Sequence, residues 1–194
     1  GYAAGTADAA SVSTLDTSIA RGSLKGGVKD SQFGMGYLNA DGTYSGLDIE
    51  YCKAVAAAIG VDDIEYILAT GSNRFELLAS AEIDVLIRTT TWTTSRDAGL
   101  NADFAGMNFY DGQGMLVNLA QFEGATSALD LDGANICVGI GTTTEGNLLD
   151  YYDLHGMTMT TINTENAAAA QENFLDGSCG VWTGDMSAMV ARLW

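Results

Sequence analysis

Residues 46–97 read GLDIEYCKAVAAAIGVDDIEYILATGSNRFELLASAEIDVLIRTTTWTTSRD. The spacing predicts a helix over 47–60, with Asp48 to cap it, an alanine-rich middle and Gly60 to end it. A strand is expected over 64–68. A second helix is expected over 73–81, capped by Ser72, with Phe75, Leu77 and Leu78 supplying its apolar contacts. A short buried strand over 85–87 then runs straight into Thr89, Thr90, Thr91, Thr93, Thr94 and Ser95, closed by Arg96. Hydroxyls and free backbone N–H groups at a strand end suit a carboxylate. A guanidinium can grip both of its oxygens in a planar fork. The same residues also read as a Thr-rich turn with a surface arginine.

Outward from this core the rhythm continues. Upstream, a short helix is expected over 13–22, a strand over 24–28 and a turn at Asp41-Gly42. Downstream, strands are expected over 114–117, 134–140, 157–162 and 180–183. A capped turn is expected near Ser127, and helices over 142–154, 165–175 and 186–193. Strands separated by helix-length segments imply a parallel sheet with helices on both faces, an α/β architecture. Such sheets bind ligands at the carboxyl ends of their strands. Three candidate features fall there: the 89–96 stretch, Gly141-Thr142-Thr143-Thr144-Glu145, and Gly184-Asp185.

Composition narrows the partners. The chain has 194 residues, 8 Lys and Arg against 25 Asp and Glu, and a formal net charge of −17. Nucleic acid is excluded as a partner, because phosphate binding needs clustered basic residues. An anionic membrane surface is disfavoured for the same reason. No apolar run approaches the roughly 18 residues of a membrane span. The small-residue start, 1–11, reads as a flexible segment at the beginning of a mature chain, its signal peptide removed. Proline is absent, where average usage predicts roughly 10 in this length.

Gly141 to Glu145 brings a strand through a glycine and hydroxyls into a helix N-terminus, where free N–H groups and the helix dipole favour an anion. It reads equally as an ordinary N-cap with Glu145 completing a capping box, and it lacks the Gly-Lys-Ser/Thr ending of a phosphate loop. Asp185, after an apolar strand, suits an ammonium group or caps the helix that follows. Phe33 and Phe75 can clamp an aliphatic stem or pack in the core. Arg74 reads as a solvated helix residue or as a contact to an acidic side chain. The single histidine, His155, sits at a helix end, and no cysteine pair has metal-site spacing. No metal, cofactor or catalytic residue is expected.

Together these blocks resemble the solute-binding proteins of amino-acid ABC transporters, the polar amino-acid group and its general L-amino-acid branch (bacterial extracellular solute-binding protein family 3). The matching elements are 27–30, 46–55, 73–78, 84–97, 103–106, 109–114, 131–138, 141–145 and 177–185. The resemblance implies a type II periplasmic-binding-protein fold. Its two lobes, 12–113 and 114–194, would each hold a mainly parallel sheet flanked by helices, with ligand in the cleft between them. It implies a periplasmic monomer, not an enzyme, that binds a free L-amino acid and hands it to a membrane permease. Arg96 would hold the ligand α-carboxylate with Thr89 and Thr91, joined by Thr142 and Thr143 from the second lobe. Asp185 would take the α-ammonium, and Phe33 and Phe75 would flank the side chain. Asp30, Arg74 and Arg88 would read its far end, with a tilt toward acidic or amide side chains.

The resemblance also implies a disulfide between Cys137 and Cys179, on neighbouring second-lobe strands. Cys52 would be unpaired, because Gly26 stands where close relatives carry its partner. Relatives continue well beyond Trp194 and cross back to complete the first lobe, so that return is expected to be absent from these residues. Two other readings stay open: a cyclohexadienyl or arogenate dehydratase-like enzyme on the same scaffold, with Asp30 as its general acid, and an amino-acid sensor module.

Overall fold

The computed structural model describes residues 13–100 and 102–192. The expected segment 1–11 and the last two positions of 114–194 lie outside the described residues. In chain order the elements are α1 Thr14–Arg21, β1 Ser23–Val28, β2 Ser31–Gln32, β3 Gly36–Leu38, β4 Tyr44–Ser45, α2 Leu47–Ile59, β5 Asp63–Leu68, α3 Arg74–Ala79, β6 Val85–Leu86 and α4 Thr94–Gly99. There follow β7 Gln113–Val117, a 3-10 turn Ala128–Leu131, β8 Ala134–Gly139, α5 Thr143–Leu154, β9 Met159–Thr164, α6 Ala167–Leu175, β10 Val181–Asp185 and α7 Met186–Val190.

The first sheet has the order β5-β1-β6, all parallel, with Val28 opposite Leu68 and Gly27 opposite Leu86. Helix α2 lays Ile49, Cys52 and Ala56 on it, a stripe at helical spacing that meets Val28, Leu24 and Ile87. The close approach depends on Gly26 in β1, where a Cβ would sit 3.0 Å from the Cys52 sulfur. Asp48 does not cap α2. Gly46 holds that position with φ of 117°, and a Cβ there would fall 2.1 Å from the Met35 carbonyl oxygen. Asp48 is thereby carried into the first turn and buried. Ser72 does not cap α3 either. Asn73 is the cap residue, and the Ser72 hydroxyl instead donates to Glu165 at 2.9 Å.

The second sheet has the order β7-β10-β8-β9. Strands β10, β8 and β9 are parallel, but β7 runs antiparallel to β10. It pairs with β10, the last strand among the described residues and distant from it in sequence, so local connectivity did not reveal its direction. Residues alternate along β8. Ile136 and Val138 face α5 through Leu148 and Tyr152, while Cys137 faces α6 through Ala170, beside Trp182 of β10. Both faces are therefore covered. Between β1 and α2 lies a third, antiparallel sheet, β2-β3-β4, turning at Asp41-Gly42. The sequence did not announce it, because strands of two or three residues are too short to show alternation.

Cys137 and Cys179 form a disulfide, with Cα atoms 5.7 Å apart. Cys137 lies in β8, whereas Cys179 sits in the turn just ahead of β10 rather than in a strand. Cys52 is free and buried, and burial pushes its thiol up to about 12, so it stays protonated.

Candidate functional site

The carboxyl ends of four strands converge between the two sheets: β1 delivers Lys29, β6 leads to 87–96, β8 leads into the start of α5, and β10 ends in Asp185. Three adjoining cavities of about 260, 80 and 30 Å³ lie there, and Arg88 and Asp185 border all three. The smallest is walled by Lys29, Arg74, Arg88, Thr89, Thr91 and Arg96 on one side. Thr142, Thr143, Thr144 and Asp185 wall it on the other. Eight of the eleven residues singled out in the sequence are thus brought to one place.

Three are not. Asp30 and Phe33 border none of the three cavities. Phe33 is 42% exposed, stacked on Tyr37 at 4.2 Å, with the Arg192 guanidinium 4.9 Å from its ring centre. Its ring packs beside Tyr37 and Arg192, outside the three cavities. Phe75 lies beside the cavities. The Arg74 and Arg96 guanidiniums sit 5.0 and 5.6 Å from its ring centre, so it steadies two cations.

Contacts from both sheets meet across the cleft. Arg74 Nη2 donates to the Gly141 carbonyl at 2.9 Å, and Arg96 Nη2 donates to the same oxygen at 3.4 Å. Arg96 Nη1 donates to the Thr91 carbonyl at 2.9 Å, which aims the fork along the strand end. The hydroxyls of Thr91 and Thr143 are 3.1 Å apart. The backbones touch where Gly71 faces Ile140, since a Cβ on Gly71 would fall 2.3 Å from the Ile140 oxygen.

Competing roles for the polar residues can now be told apart. Asp185 occupies the N-cap position of α7, yet its side chain makes no capping hydrogen bond, so the carboxylate faces the cavities. Thr142 does cap α5. Its hydroxyl accepts from Glu145 N at 3.1 Å and donates to the Gly139 carbonyl at 2.7 Å. That leaves its backbone, rather than its hydroxyl, for a ligand. Glu145 does not complete a capping box, because its Oε2 accepts from Gly141 N, one residue before the cap.

The charge balance of the cleft opposes that of the chain. Lys29, Arg74, Arg88 and Arg96 are four of only eight basic residues in a chain of net charge −17. Among the described residues the two ion pairs are Arg21–Asp84 and Lys53–Glu50, so none of these four cations is in an ion pair. Arg74 and Arg88 are almost fully buried, and the Nε atom of each lacks a hydrogen-bond partner among the described residues. Burial, then neighbouring guanidiniums, pushes Arg74 down to about 9; burial, partly offset by Asp185 and Asp48, pushes Arg88 down to about 10. Both remain cations at neutral pH. Asp48 borders the largest cavity with one carboxylate oxygen unpartnered. Burial, only partly offset by Lys29 and Arg88, raises its pKa to about 6. Unpaired buried charge is costly, so this arrangement favours a ligand that brings its own carboxylates.

Lys29 and Thr144 are the two residues of the smallest cavity that the sequence did not single out as candidates. The strand-end rule was available for Lys29: it is the first residue after the apolar end of β1, in a chain poor in lysine. Thr144 carried no separate signal within its Thr-rich run.

No helix among the described residues is long and apolar enough to cross a membrane. Residues 24–127 match the family described as bacterial extracellular solute-binding proteins, family 3. The chain is 47% identical over 191 residues to the glutamate/glutamine/aspartate/asparagine-binding protein of Rhodobacter capsulatus, covering 97% of this chain and 56% of that protein. It is 40% identical over 185 residues to the general L-amino acid-binding periplasmic protein of Rhizobium johnstonii, covering 94% and 54%. In three dimensions it resembles an ABC transporter periplasmic binding protein of Brucella ovis with glutathione bound. The TM-score is 0.86 at 41% identity, over 92% of this chain and 56% of that one. The chain thus spans about half the length of the curated relatives it matches. With its two sheets and the cleft between them, it has the type II periplasmic-binding-protein fold, and it belongs to the bacterial extracellular solute-binding proteins of family 3.

Proposed function

We propose that this chain binds a free L-amino acid with an acidic or amide side chain in the cleft between its two sheets. We further propose that the protein works in the periplasm as a monomer and hands the ligand to the permease of an ABC transporter. The observation that carries this reading is the opposition of an unpaired guanidinium cluster and a free carboxylate across one cavity wall, Arg96 with Thr91 and Thr143 against Asp185. A zwitterionic amino acid presents one carboxylate and one ammonium, and it satisfies both sides at once. In this reading Arg96, Thr89, Thr91 and the backbone of Thr142 and Thr143 receive the α-carboxylate, and Asp185 takes the α-ammonium. Residues 12–113 and 114–194 act as two lobes that close on the ligand. The excess of cations left after the zwitterion is matched points to a second carboxylate or an amide on the side chain. The name of the Rhodobacter relative agrees with that class, and the name of the Rhizobium relative with L-amino acids in general.

We prefer binding to catalysis on this scaffold because Asp30, the residue considered for a general acid, borders none of the cavities. Calorimetry of the intact protein against the common L-amino acids tests the reading. Glutamate, aspartate, glutamine and asparagine are expected to bind most tightly and to be recovered chemically unchanged. Absence of binding to every amino acid, or turnover of the bound one, overturns it.

A further inference from the structure

Lys29 leaves the carboxyl end of β1 and enters the cleft part-buried, bordering the two smaller cavities together with Arg88 and Asp185. Its ammonium donates to Gln32 Oε1, an oxygen that also accepts from the Thr89 hydroxyl at 3.2 Å. Gln32 is 1% exposed and its amide nitrogen has no partner among the described residues, so Lys29 sits against a polar wall that is not fully satisfied. Charged groups face it from every side: Arg88 after β6, Asp185 at the end of β10, Asp48 on α2 and Arg74 on α3.

We propose that Lys29 is the residue that reads the far end of the ligand side chain, meeting a carboxylate as an ammonium and a carboxamide as a neutral amine. The proposal rests on the amino-acid-binding reading above. Three of the four cleft cations are guanidiniums, which stay charged at neutral pH. Lysine does so readily when it is crowded and desolvated. Here burial, then the Arg88 charge, outweigh the attraction of Asp185 and Asp48 and hold the ammonium at about 7. A ligand carboxylate arriving beside the amine draws one proton from solvent onto Nζ and forms a charge-assisted hydrogen bond. A ligand carboxamide donates N–H to the neutral amine and needs no proton. One pocket then accepts both side-chain classes, and pH sets their order.

The test is calorimetry of the intact protein with L-glutamate and L-glutamine at pH 6.5 and 8.5, in buffers of different ionisation enthalpy. Glutamate affinity is expected to fall about 25-fold between these pH values, since only the protonated fraction of Lys29 is competent for it. Glutamate binding near pH 7.5 should take up about three quarters of a proton. Glutamine affinity should rise about fourfold over the same range, because it needs the neutral amine, and its binding near pH 7.5 should release about a quarter of a proton. Lys29→Met should abolish the glutamate pH dependence and lower the glutamate-to-glutamine affinity ratio at pH 6.5 about tenfold, with an unchanged melting temperature showing that the fold is intact. Lys29→Arg should keep tight glutamate binding and make it flat across this range, because the guanidinium stays charged. If wild type binds amino acids while Lys29→Met leaves both the ratio and its pH dependence unaltered, Lys29 does not read the side chain and the binding function stands. If wild type binds no amino acid, both fall.

Discussion

The hydroxyl of Thr91, at the end of the first sheet, lies 3.1 Å from that of Thr143, in the first turn of the helix that follows β8. The two residues are 52 positions apart, Thr91 in the loop after β6 of the first sheet and Thr143 at the start of the helix after β8 of the second. Their pairing marks where the two strand ends meet across the cleft. Beside it, Arg96 and Arg74 both reach the Gly141 carbonyl.

Arg96→Ala removes the fork proposed for the α-carboxylate. Amino-acid affinity is expected to fall by about 2–5 kcal/mol, the range for breaking a buried charge pair. Thermal stability should change little, because Arg96 is at the cleft edge. Titration calorimetry returning wild-type affinity would remove Arg96 from the site.

Asp185→Asn keeps the size of the side chain and removes its charge. The capping position of α7 loses nothing, since the carboxylate makes no capping bond. A loss of amino-acid affinity of about 2 kcal/mol or more is expected with an unchanged melting temperature. A fall in stability with intact affinity would mean that Asp185 serves the helix instead.

Gly71→Ala places a methyl group 2.3 Å from the Ile140 oxygen, across the cleft. The two sheets would be held apart there without strain inside either one. Ligand affinity should weaken about tenfold or more, equivalent to about 1.4 kcal/mol. Small-angle scattering should show a more open particle in the presence of ligand. Unchanged affinity would show that this close contact is not part of the bound state.

The Cys137–Cys179 bond closes a loop of sequence separation 42 and ties β8 to the turn before β10. Thiol titration of the unreduced, denatured protein should find one thiol, that of Cys52. Loop-closure entropy makes the bond worth about 4 kcal/mol, so reduction should lower the melting temperature by many degrees. Finding three thiols would contradict the bond.

The Asp48 carboxyl titrates higher in the folded chain than in the unfolded one, at about 6 against 3.8. The folded state therefore binds more protons between these values, and stability falls as pH rises through that window. Asp48→Asn should match wild type near pH 4 and exceed it by about 1–3 kcal/mol at pH 7.5. Denaturant melts at the two pH values check this. A variant less stable than wild type at pH 7.5 would mean that the Asp48 charge is needed to balance Lys29 and Arg88.

Much of this protein could be read in advance because its signals are local. Apolar runs separated by helical periods gave the αβ alternation. The hydroxyls after Ile87 and the glycine-threonine run after β8 marked strand ends. What resisted reading was set by partners far along the chain. The direction of β7 follows from its pairing with β10, some 70 residues later, and the hairpins of 31–45 are too short to show a period. Asp48 looked like a cap, but the close contact between Gly46 and Met35 sets the cap two residues earlier, at Gly46. Phe33, read as a ligand clamp, lies outside the three cavities, beside Tyr37 and Arg192.

The α/β class and the chemistry at each strand end were legible along the chain, because periodicity, hydroxyl clusters and caps depend on neighbours within a few residues. Which strand ends meet was set by contacts between distant parts of the chain. Eight basic residues scattered through an acidic chain show no pattern along the sequence. Bringing the strand ends of the two sheets together gathers four of them around one cleft, in no ion pair among the described residues. That gathering is a property of three-dimensional distance, through which charges act and which linear spacing does not encode.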